Sequence, residues 1–178
     1  MKKKLLILAA VLAVAIVAVL LVASTRPDSF RVQRAAVIQA PPEKVFPLIE
    51  DFRAWGGWSP WEKKDLAMKR SFSGPAAGKG AVYAWDGNSE VGQGSMTIVE
   101  DTPPSKLVLN LDFIKPFEGH SVVTFALAPQ GEATNVTWTI EGPTPFISKV
   151  IGLFCDMDSM IGKDFEAGLA SLKAMAEK

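Results

Sequence analysis

"APPEKVFPLIEDFRAWGGWSPW" occupies Ala40 to Trp61. Pro41 or Pro42 suits a helix start, because the N–H that proline lacks would have no partner in a first turn. Val45, Phe46 and Ile49 recur at helical spacing, and Pro47 falls in the first turns, where it is best tolerated. The spacing predicts a short helix over 42–50, followed by a second short helix or turn. That second piece holds Trp55, Trp58 and Trp61, three of the five tryptophans, beside Gly56, Gly57 and Pro60. So much aromatic area in a loop-like segment either seals the end of a larger structure or lines a place where something apolar binds. Trp58 and Trp61 are expected mainly to seal. Trp55, followed by two glycines that free the turn, is expected at the mobile edge of a cavity.

The neighbouring stretches supply what such a segment would seal. "FRVQRAAVI" from Phe30 to Ile38 has the alternation of a strand. From Met68 to Glu141 six runs follow, "KRSFSG", "AVYAWDG", "GSMTIVED", "KLVLNLDFI", "SVVTFALAP" and "NVTWTIEG", separated by glycine, proline and asparagine clusters. Leu107, Leu109, Leu111 and Phe113 point one way, while Asn110 and Asp112 point the other. Val136, Trp138 and Ile140 oppose Thr137 and Thr139. Short connections favour an antiparallel meander, whose apolar face needs an apolar cover. The last third provides it. Thr144 and Pro145 suit a helix start. After a break near Cys155, Met157, Met160, Ile161, Phe165, Leu169, Leu172 and Met175 form one helical stripe. Met157 and Met160 are expected to face the sheet, where flexible, polarizable side chains suit either a core or an adaptable pocket. Gly162 and Gly168 leave room either for a ligand or for close packing.

Strand, two short helices, six strands and a long last helix is the element order of the helix-grip fold. Together with "APPEKVFPLIEDFRAWGGWSPW", "GKGAVYAWDGN", "GQGSMTIVED", "FEGHSVVTFAL" and "MDSMIGKDFEAGLASLK", residues 30–178 resemble the SRPBCC superfamily, also called START-like or polyketide cyclase/dehydrase-like. The resemblance implies an α+β fold in which a curved antiparallel sheet wraps around the long C-terminal helix and encloses a cavity. Across that superfamily the cavity holds lipids, sterols, polyketides or other apolar molecules. It shares no catalytic residues, so the resemblance implies a binding site rather than a reaction.

Residues 1–23 are of a different kind. Lys2, Lys3 and Lys4 precede nineteen uncharged residues, Leu5 to Ala23, which as a helix span roughly 28 Å, enough to cross a bilayer core. A cleaved signal peptide usually has a shorter apolar core and a small-x-small site, and "LVAS" is a poor one. A single transmembrane anchor over 1–23 is therefore expected, followed by a linker over 24–29. The lysines place the N-terminus in the cytoplasm and the domain outside it, in a bacterium the periplasm or outer surface.

Composition removes other classes. The formal net charge is zero, and without the three leading lysines 16 basic residues face 19 acidic ones. No basic run follows the anchor, so nucleic acid is not an expected partner. One cysteine, Cys155, allows no internal disulfide and is expected to be a buried apolar residue. The single histidine, His120, rules out a zinc site needing two and is expected to be exposed at a strand end. No metal, cofactor or catalytic residue is assigned. The expected function is a membrane-anchored domain that binds a hydrophobic small molecule or lipid through Trp55, Trp58, Trp61, Met157 and Met160. The rivals are a cyclase-like enzyme using acids or His120, and a structural or partner-binding domain whose cavity is filled by its own side chains.

Overall fold

The computed structural model describes residues 2–178. Contacts divide the chain into two compact units. The larger comprises Arg31–Gly142 and Asp158–Lys178. Its elements among the described residues begin with β1 (Ser29–Ile38), α2 (Pro42–Glu50) and a 3-10 turn (Phe52–Gly57), followed by α3 (Trp61–Lys64). Then come β2 (Lys69–Ser73), β3 (Val82–Asp86), β4 (Gln93–Thr102), β5 (Lys106–Lys115), β6 (Gly119–Gln130), β7 (Ala133–Pro143) and α5 (Met157–Ala176).

The seven strands among the described residues form one antiparallel sheet in the order β1-β7-β6-β5-β4-β3-β2. The six-strand meander is thus the one that the turn spacing predicts, and β1 adds to the edge beside β7. Register shifts between Gln93 and Gly94 and between Ile98 and Glu100 mark irregularities of the β4–β5 pairing, a type of break that bends a strand and sharpens its twist. Helix α2 takes the predicted bounds and turns Val45, Phe46 and Ile49 inward. Helix α5 buries Phe165, Leu169 and Leu172 of the predicted stripe. Its first turn differs: Met157 and Met160 are exposed.

Two glycines set how closely α5 approaches. A Cβ on Gly168 would lie 2.8 Å from a Trp138 ring carbon and 3.0 Å from Pro60. A Cβ on Gly162 would overlap the Arg34 guanidinium. Both positions therefore serve close packing, which decides between the alternatives that the sequence leaves open. Arg34 in turn holds α5 by ion pairs to Asp158 at 2.9 Å and Glu166 at 2.8 Å.

The smaller unit comprises the chain up to Phe30 together with Pro143–Met157. It contains α1 (Lys2–Ser24) and α4 (Phe146–Ile151), which pack against each other. α1 is long and apolar enough to cross a membrane. Ala23 is its one buried residue among those described, with Val19 partly covered. α4 begins one residue after the Thr144–Pro145 pair that was expected to start it, with Pro145 as the cap. The Asp28 carbonyl accepts from the Thr144 N–H at 2.7 Å. The Asp28 carboxylate pairs with Lys149, whose hydrogen bond and charge hold it below its ordinary value.

Candidate functional site

The tryptophan segment forms its site from local rules. Asp51 caps the 3-10 turn by accepting from the Arg53 N–H at 2.8 Å. That turn swings Trp55 inward, where its indole N–H donates to the Ile49 carbonyl at 2.9 Å. Trp58 donates to the Leu48 carbonyl at 2.8 Å. Both rings are thereby tied to the end of α2, and both are buried, at 3% and 0% exposure. Trp61 stands half-buried at the start of α3, edge-on to Trp138 at 5.7 Å and to Phe165 at 6.2 Å.

This reverses two expectations. Trp55 was expected at a mobile edge, but the 3-10 turn places Gly56 and Gly57 on the exposed side and the indole on the buried one. Trp61 was expected to seal the sheet, but its ring is only half-buried, beside Trp138 and Phe165. Trp58 does seal, with Trp55 at 4.7 Å, Trp138 at 5.5 Å and Phe125 at 6.1 Å around it.

Below these rings, between the sheet and α5, lies a cavity of about 210 Å³. Trp61, Trp85, Met96, Leu111, Phe113 and Ile161 belong to its apolar wall, together with Trp55 and Trp138. The incomplete burial of Leu111 and Phe113 follows from their place here: they face inward by strand alternation, onto open space. Gly94 makes room for Trp85, since a Cβ there would meet the indole at 2.7 Å. Of the five residues expected to touch a ligand, Trp55 and Trp61 line the cavity, while Trp58, Met157 and Met160 do not. Trp58 sits a layer behind the wall, and the two methionines lie on an exposed part of the last helix. Alternation in β3, β4 and β5 carries the signal for Trp85, Met96, Leu111 and Phe113, but alternation alone does not mark any of them as a site residue.

Three acids line the cavity, Glu62, Glu90 and Asp164, of which Glu90 is exposed and the other two are paired. Glu62 accepts from the Tyr83 hydroxyl at 2.6 Å and from Arg70 at 2.7 Å, so both its oxygens are engaged, and its side chain is 10% exposed. Burial, then the Glu62 carboxylate, pushes the Tyr83 hydroxyl well above its ordinary value and keeps it a donor. Asp164 pairs with Lys64 at 2.7 Å. His120 lies outside the lining, 80% exposed at its side chain, with Nδ1 2.6 Å from Asp112. Cys155 is exposed, contrary to expectation, because it follows α4 in a segment that turns its side chains outward. No group of three or more metal-ligating side chains occurs among the described residues.

A second acidic contact lies apart from the cavity lining. Glu50, at the end of α2, faces Asp101 of β4 across the Gly78 turn, where one added Cβ would touch both carboxylates. Burial first, and then Asp101, raise the Glu50 carboxyl above its ordinary 4.5. A carboxyl raised on folding stabilises the fold below its unfolded value, and that contribution is lost as pH climbs through the folded value. Glu50→Gln is therefore expected to raise the melting temperature at pH 7 and to flatten its decline from pH 4 to 7. Equal melting curves for the two proteins across that range would refute it.

Residues 29–177 match the family model described as polyketide cyclase / dehydrase and lipid transport. None of the curated proteins matches the chain. Among solved structures, protein CV1439 from Chromobacterium violaceum superposes with a TM-score of 0.60 at 19% identity, over 86% of this chain and 99% of that one. The Aha1 dimer from Colwellia psychrerythraea gives 0.60 at 18% identity, over 83% and 96%. DynU16, from the dynemicin biosynthetic locus, gives 0.59 at 18% identity over 86% of this chain, which spans 48% of that protein. At these identities the likeness is one of fold.

Proposed function

The chain belongs to the polyketide cyclase / dehydrase and lipid transport family, and from that premise we propose that it is a membrane-anchored START-like domain that holds a small apolar molecule in its cavity. The observation that carries this reading is the ring-lined, carbon-walled space of about 210 Å³ between sheet and helix. Its size narrows the ligand. A cavity of about 150 Å³ holds benzene, and drug-sized pockets start near 300 Å³. One or two rings, or a single short chain, fit; a whole two-chain phospholipid does not. With both Glu62 oxygens engaged, Asp164 paired to Lys64 and Glu90 exposed, the lining favours holding a ligand over transforming it.

Burying about 200 Å² of apolar ligand surface at about 25 cal/mol per Å² contributes roughly 5 kcal/mol. That corresponds to a dissociation constant on the order of a few tenths of a millimolar for a ring-sized probe. Calorimetric titration with indole is expected to give a saturable signal in that range. Leu111→Trp, which fills the cavity from its wall, is expected to weaken it by about tenfold or more, as a loss of ~1.4 kcal/mol would. Equal binding by both proteins would refute the site. Native mass spectrometry of the protein from its own host would then identify the resident ligand.

The anchor is α1, retained on the mature chain, with the lysine-rich end in the cytoplasm and the domain on the other side. The full-length chain is expected in membranes after a carbonate wash, and a reporter fused after Lys178 is expected to read as extracytoplasmic. A soluble form starting near Ser24 would refute the anchor, and a cytoplasmic reporter the orientation.

A further inference from the structure

The smaller unit exposes more apolar surface than α1 alone explains. Phe146, Ile147 and Ile151 of α4 are exposed, and so are Phe154 and Met157 beyond it, with Phe154 at 75%. Single exposed apolar residues are ordinary, but a run of five within twelve residues calls for a cover. Between Phe146 and Cys155 the only charge is Lys149. It is turned inward, 8% exposed, onto Asp28. Up to Cys155 the segment thus hides its one charge and shows its apolar side chains, and the next charge, the exposed Asp156, stands at its far end.

Its position identifies the cover. α4 packs against α1, and the shielded residues of α1 are Val19 and Ala23. These sit one helical turn apart on one face, at the end of the apolar run that closes at Ala23. At about 1.5 Å per residue the contact falls within roughly the last 7 Å of the span. Interfacial helices bury their apolar faces about 5–10 Å into the headgroup and acyl boundary. The two depths coincide. The Asp28 contacts to Thr144 and Lys149 hold the segment there, four residues beyond the end of α1.

We propose that Phe146–Met157 is a second membrane contact, an interfacial element whose exposed apolar side chains sit in the leaflet where α1 ends. This rests on α1 being a retained membrane span. Because the segment presents no basic cluster, its insertion is driven by apolar burial and is indifferent to anionic lipid and to salt.

Cys155 gives a direct probe, since it is the only cysteine and is exposed within the segment. The full chain, labelled there with an environment-sensitive fluorophore, is reconstituted in phosphatidylcholine vesicles. Blue-shifted emission is expected, quenched more by lipids spin-labelled near the headgroup than near the chain end. Adding phosphatidylserine or 1 M salt is expected to change neither. The exposed pair Ile147→Asp and Phe154→Asp, made together, is expected to return the emission to that of water. Water-like emission from a wild-type chain that resists carbonate extraction would overturn the second contact and leave the anchor intact. Blue-shifted emission that no lipid quenches would overturn it in favour of a protein partner. Loss of the chain to carbonate would overturn the anchor, and this inference with it.

Discussion

Trp58→Ala is expected to cost about 3–5 kcal/mol, the range for truncating a large buried aromatic. The ring is fully buried. It packs against three aromatic neighbours, Trp55, Phe125 and Trp138, and Trp138 in turn stacks on Phe165 at 4.1 Å. Truncation would also leave the Leu48 carbonyl without the indole N–H that it accepts. Against a total stability of roughly 5–15 kcal/mol, such a loss threatens folding. Trp55→Ala is expected to behave alike, being buried and tied to Ile49. Trp61→Ala is expected to cost clearly less and to weaken indole binding, because its ring is half-buried and faces the cavity. Thermal and urea melts of the three variants decide. If Trp61→Ala unfolds the domain while Trp58→Ala melts like the parent, the assignment of seal and wall is wrong.

Gly168→Leu is expected to be comparably damaging, and Gly168→Ala sets the sign. On propensity alone, alanine would stabilise a helix interior by about 0.8–1.0 kcal/mol relative to glycine. Here its methyl would enter at 2.8 Å from the Trp138 ring and 3.0 Å from Pro60. Neither neighbour gives way easily: Trp138 is stacked on Phe165, and Pro60 caps α3. Overpacking costs about 1–3 kcal/mol, so the clash wins and Gly168→Ala is expected to be destabilised on balance. Leucine adds three more carbons to the same filled space, and a loss of 3 kcal/mol or more is expected, on the order of the upper end of that range. Gly162→Ala meets the flexible Arg34 side chain instead. Its loss is expected to be smaller, paid through displaced ion pairs to Asp158 and Glu166. A Gly168→Ala protein more stable than its parent would show that α5 can move away from the sheet at little cost.

Much of the fold is legible in the sequence, for a reason that lies in the periods. Alternation over 107–113 and 136–140 assigned both faces of two central strands. The glycine and proline clusters marked the turns, and 3.6-residue spacing marked α2 and α5. The cavity was legible only indirectly. Leu111 and Phe113 carry the same inward phase as Leu107 and Leu109, yet the latter pair are buried in the core and the former face open space. Nothing in the strand itself separates the two pairs; the difference is what stands opposite.

The same limit applies to the tryptophans and methionines. Local sequence determined that an aromatic-rich short helix follows α2, that an apolar span precedes the domain, and that a long amphipathic helix closes it, because those properties depend on neighbours a few residues away. Which of Trp55, Trp58 and Trp61 seals and which lines was decided by tertiary structure: indole N–H groups needed buried carbonyl partners, and Ile49 and Leu48 supplied them to the first two. Met157 and Met160 hold the stripe's phase but lie on an exposed first turn, ahead of Ile161 and Phe165, which reach the cavity lining. Periodicity gives a side chain its direction. Whether that direction meets core, cavity or solvent depends on residues distant in the chain, and only the folded arrangement brings them together.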